Sequence, residues 1–231
     1  MKLPQAVHWV ILVVAGVLFG WLYECPVWAQ QTSAYRIETV ATPPDDVAEE
    51  IASALQRQGL RLVRENSEIV AELWLRSTLP LKTSAAGYDA LEEGTLVGVL
   101  NFPKGGSDFR GQPIQPGVYT LRFEHIPEDG YHMGAAPELY FLLLIRAKAD
   151  RDLKASLDFN HVMALSRQAS GTNHPAPLML LPATTQTNFP EVQTNELGHV
   201  ALRTKTLAQI PGSDKAQDFP LALVLVGRAE L

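Results

Sequence analysis

The residues best suited to chemistry crowd into one stretch, HIPEDGYHMGAAPELYFLLLI (residues 125–145), where His125, Asp129, His132 and Met133 stand close together. His174 lies in a second polar loop, GTNHPAP. Imidazole and thioether ligands suit copper, so His125, His132, Met133 and His174 form one candidate metal set, for copper or another transition metal. A second candidate is a ligand-binding set, His132, Asp129, His174 and Arg122, in which a tightly held histidine is the recognition element. Gly130 and Gly134 flank His132 and permit backbone angles that a β-carbon forbids, so the loop can close around it. The competing reading is structural: His125 closes the rim of a core, His132 bonds loop carbonyls and Met133 fills a gap. The spacing matches no compact metal motif.

Signatures of catalysis are missing from the sequence. It contains no G-x-S-x-G elbow, no H-E-x-x-H pair, no Walker loop and no dinucleotide fingerprint after a strand. PKGGSDFRG is glycine-rich, but no helix follows to gather N–H groups around a phosphate. Glu92–Glu93 and Glu128–Asp129 are neighbours in loops, whereas a glycosidase needs carboxylates facing each other across a bond. No catalytic residue is assigned. An enzyme with a site assembled from distant loops remains an open alternative.

The elements that must position these residues are mostly strands. In VYTLRFEHI (118–126), Tyr119, Leu121 and Phe123 face one way, with Arg122 and Glu124 on the other. Residues 34–41, 60–65 and 69–76 read as strands, the last two joined by a short turn at Asn66-Ser67-Glu68. Residues 95–102, 139–145 and the final LALVLVGR are apolar on both faces, as in central strands. PLMLLP and HVALRTKTL complete a count of about nine. The segment DDVAEEIASALQRQG predicts a helix capped by Asp46, with Glu49 as its partner and Gly59 at C′. A short helix is expected within 157–171. Strand and helix do not alternate, which disfavours a parallel doubly wound sheet. The fold class expected is an antiparallel β-sandwich, Ig-like or jelly-roll-like, with one or two short helices and a hydrophobic leader helix.

The leader spans residues 1–29. Lys2 precedes the apolar run WVILVVAGVLFGWLY (9–23), and Val27-Trp28-Ala29 suits a signal-peptidase cut between Ala29 and Gln30. The alternative is an uncleaved anchor, although the run is shorter than the roughly 20 residues that span a bilayer. Either way, residues 30–231 are expected as one exported domain, periplasmic or secreted. Cys25, the only cysteine, falls within the leader, so the exported part has no thiol for disulfides or metal. A net charge of −6 disfavours nucleic acid as a partner and offers no polybasic hold on a membrane. An envelope protein or a small-molecule ligand is the expected partner; membrane contact would come only through a retained leader.

The run from Gly111 to Ile145 resembles a segment of uncharacterised exported bacterial proteins. The shared elements are Pro-Gly-Val-Tyr-Thr-Leu-Arg (116–122), Asp-Gly-x-His-Met-Gly (129–134) and Phe-Leu-Leu-Leu (141–144), with SGTNHPAPL (170–178) as a second patch. Tyr140 stands where that pattern is expected to have an acidic residue, which weakens any metal role assigned through that position. The resemblance implies an exported sandwich-like domain with no assigned activity, and it directs attention to His132 and His174.

Overall fold

The nine segments read as strands from the sequence are realised as strands. The computed structural model describes residues 34–126, 136–155, 157–183 and 188–228. The leader with Ala29 and Gln30, and the loop residues Asp129, His132 and Met133, lie outside the described residues.

In chain order the strands are β1 (Tyr35–Val40), β2 (Gly59–Arg64), β3 (Ile69–Leu75), β4 (Thr78–Pro80), β5 (Leu96–Phe102), β6 (Gly106–Ser107) and β7 (Pro113–Ile114). There follow β8 (Gly117–His125), β9 (Tyr140–Arg146), β10 (Pro177–Met179), β11 (Glu191–Thr194), β12 (Val200–Gln209) and β13 (Ala216–Val226). One sheet runs β1-β2-β3-β5-β8-β9-β10 and is antiparallel throughout. The other runs β11-β12-β13-β6-β7, with β4 parallel to β12 and β6 parallel to β13. Leu73, Leu100, Leu121, Phe123, Leu142 and Leu144 of the first sheet share one apolar core with Leu202, Leu221, Leu223 and Leu225 of the second. Among the described residues the fold is mainly β, with largely antiparallel sheets and two α-helices.

Two places join the sheets directly. After β3 the chain turns through Arg76 and Ser77 into β4, and the Thr206 hydroxyl of β12 donates to the Arg76 carbonyl. After β10, Leu180 donates to Tyr140 O at 2.9 Å in the first sheet, and Leu181 donates to Ala222 O at 2.9 Å in the second. Strands that bend from one sheet to the other form such corners in packed β structures.

Both helices cover the outer face of the first sheet. α2 (Phe159–Ser170) begins where Asp158 accepts the His161 N–H at 2.9 Å and ends at Gly171 in the left-handed region, φ 67°. Its Val162 seats on Leu143 and Ile145. α1 (Glu49–Ala54) is shorter than the sequence pattern predicts. Its N-cap is Ala48, with no side-chain cap, while Asp46 pairs with Lys148 at 3.2 Å. Leu55 is already extended and bridges Arg76, so the sheet corner claims the chain before another turn can form. Gly59 is no helix terminus: it opens β2, where a β-carbon would come within 2.7 Å of Leu73 O and the Trp74 ring. Trp74 is buried against Ile51 and Leu55, and its indole N–H donates to Ala41 O at 2.7 Å.

Candidate functional site

β8 and β9 carry the candidate residues, and their pairing decides which of them meet. His125 stands opposite Tyr140 on the core-facing side, at the last rung of the ladder. The two rings lie 5.7 Å apart. Tyr140 also meets Phe123 at 6.0 Å, nearly parallel, and Tyr88 at 5.5 Å; Tyr88 in turn meets Phe219 at 6.2 Å. Aromatic rings at these separations attract beyond simple burial. The Tyr140 hydroxyl donates to the Asp89 carboxylate. That bond, with burial and the Asp89 charge, pushes the phenol up to about 12. Tyr88 is anchored more deeply: its hydroxyl donates to Leu181 O at 3.0 Å and accepts from Ala222 N–H at 3.1 Å, and burial holds it well above the ordinary phenol range. Leu139, next to Tyr140, is 51% exposed. The result is a rigid aromatic rim with an acidic tether and an accessible apolar neighbour.

The outer face of the same strands holds a different group. Arg122 does project away from Tyr119 and Leu121, but into the interior beneath α2 and the segment leading to it. Nε and Nη2 form a two-pronged pair with Asp150 at 2.8 and 2.7 Å. Nη1 donates to Gly94 O at 2.9 Å and Ala155 O at 3.3 Å, and Nη2 also donates to Asp152 O at 2.7 Å. Thr120 completes the group by donating to Asp150 at 2.6 Å. All five N–H groups of the guanidinium are committed, which leaves none for a ligand. The candidate ligand set therefore loses Arg122 to the interior.

Glu124, one rung further along this face, is fully buried, and neither carboxylate oxygen has a hydrogen-bond partner. Burial, with the Glu93 charge adding to it, raises its carboxyl to about 8; the nearby Gly94 amide, which donates to Phe123 O at 2.8 Å, acts in the opposite direction as the smallest of the three influences. At neutral pH this side chain is mostly a neutral acid.

His174 belongs to the other end of the sheet. Ala176 O accepts from Leu144 N–H, and Pro177 pairs with Leu143 in an antiparallel ladder, so His174 lies further from Tyr140 still. At about 3.3 Å per residue, His125 and His174 are separated by roughly 13 Å or more, too far to share one ion. Of the four-residue metal set, His125 and His174 are therefore not brought together, and His132 and Met133 lie outside the described residues. Among the described residues no three His, Cys, Asp or Glu side chains gather to hold a metal ion. His199 is structural, its ring between Asn195 at 3.3 Å and Arg228 O at 3.2 Å.

Asp89, Asp150 and Glu124 were not singled out as site residues by sequence, and Tyr140 only as a departure from the resembled pattern. The available signal was β9 itself: a strand apolar on both faces requires a cover on its outer side, which places Arg122 and Glu124 under that cover. No protein-family model, curated protein or solved structure matches this chain.

Proposed function

We propose that the protein is an exported, non-enzymatic binding or interaction domain of the cell envelope, built as an Ig-like or jelly-roll-like β-sandwich. The apolar leader supports export, and two sheets around a common core support the sandwich. The observation that carries the binding reading is the rim: His125 against Tyr140, Tyr140 tethered by Asp89, and Leu139 exposed beside them. Aromatic anchors already held in place give large contact area with little ordering cost on binding, which is how interfaces concentrate their affinity.

The test is a melting-temperature screen of residues 30–231 against metals, sugars and peptides, because a ligand of the folded state must stabilise it by mass action. A hit is expected whose stabilisation is lost in His125→Ala and reduced in Tyr140→Phe. Silence across all three classes, or a hit indifferent to both substitutions, overturns the reading. A copper-dependent rise abolished by His132→Ala would support the copper-binding alternative instead.

A further inference from the structure

Arg146 ends β9 at the opposite end of the sheet from His125, six ladder positions and roughly 20 Å away. It is fixed on three sides. Its guanidinium lies over the Tyr119 ring, 4.7 Å from the centroid, and Nη1 donates to Pro116 O at 2.7 Å. Gly117, with φ +147°, makes the room: a β-carbon there would approach Nη1 to 2.2 Å. Tyr119 is itself held, its hydroxyl donating to Gln115 O.

These contacts use one N–H of five and leave Nε and Nη2 without a partner among the described residues. Arg146 lines an open cleft of about 510 Å³, together with Asp46, Gly117, Lys148 and Gln168. Lys148 lies 3.2 Å from Asp46. The cleft thus sets two cations against one carboxylate, on a chain whose net charge is −6.

We propose that this cleft binds an oxyanion, the carboxylate or phosphate group of a small ligand. The free edge of Arg146 presents parallel N–H donors in the geometry such groups accept, with Lys148 as a nearby point charge and the Gln168 amide as a neutral donor. An ordinary surface arginine loses rotamer freedom on binding; Arg146 has already lost it on folding. The Asp46 carboxylate pairs with Lys148 and is the group an incoming anion must displace. This site is separate from the aromatic rim and does not depend on it.

The full chain is titrated calorimetrically at low ionic strength with inorganic phosphate and, separately, with citrate. Saturable binding of at least one is expected, and which one binds distinguishes a phosphate from a carboxylate ligand. Asp46→Asn removes the competing carboxylate and tightens binding by roughly three- to tenfold. Arg146→Lys keeps the charge but loses the fork, and weakens binding about tenfold or more. No saturable response to either anion, or an Arg146→Lys affinity equal to that of the unaltered chain, overturns the assignment. Should Arg146→Lys fail to fold, the Asp46→Asn titration decides alone, with unchanged affinity counting against the site.

Discussion

Two residues apart on the outer face of β8, Arg122 and Glu124 are both sealed from water, 1% and 0% exposed, yet their surroundings treat them in opposite ways. Every donor of Arg122 meets an acceptor, and its charge meets Asp150. Neither Glu124 oxygen has a hydrogen-bond partner, and the Glu93 charge that acts on it has the wrong sign. The first arrangement keeps a full charge inside the protein; the second keeps a carboxyl inside only by holding its proton. Burial alone therefore does not set the protonation state of an interior group; the local supply of partners does.

The largest effect should come from breaking the satisfied member. Asp150→Ala strands the buried guanidinium and should destabilise the fold by about 3–5 kcal/mol, read by chemical denaturation. Arg122→Met combined with Asp150→Leu should recover much of that loss, since the two apolar groups leave no charge behind.

Glu124→Met tests the other half. The folded carboxyl titrates near 8 against 4.5 for its ordinary value. A raised pKa means that the folded state holds the proton more tightly than the unfolded chain does. The stability this contributes is therefore complete below pH 4.5 and is lost as pH rises through about 8. Glu124→Met should be the more stable protein at pH 8 by about 1–3 kcal/mol and should flatten the stability profile between pH 5 and 8. A profile unchanged by the substitution would mean that Glu124 is neither buried nor unpaired in solution. The smallest effect belongs to Glu93→Gln. Glu93 is exposed, so removing its charge should lower the Glu124 carboxyl slightly and change stability by less than about 0.5 kcal/mol.

The same contrast shows where the sequence was legible. Alternation in VYTLRFEHI puts Arg122 and Glu124 on one face, and so they are. The conventional next step, reading a polar face as a wet one, fails because residues 150–155 and α2 fold across it. That cover is a long-range event with no local signal except the doubly apolar β9. α2 was legible because its start and stop are local, an Asp158 cap and a Gly171 terminus. α1 was overextended because the competing demand, the Leu55–Arg76 bridge, comes from a residue 21 positions away. β4, β6, β7 and β11, of two to four residues each, went unread because strands so short are defined by their partners rather than by their own pattern. At the candidate site, His125 at the core rim was legible from its place at the end of an apolar face. Its meeting with Tyr140 and Asp89 depends on pairing and a distant loop, which spacing along the chain does not encode.

The corners at Arg76–Ser77 and Leu180–Leu181 bear on how this protein comes apart. Because a single run of backbone is stitched into both layers at each point, neither layer can peel away without tearing hydrogen bonds in its neighbour. Opening at one edge is thereby relayed across the interior, and amides of Leu144 on one layer and Leu223 on the other should exchange with solvent in a single event rather than in two.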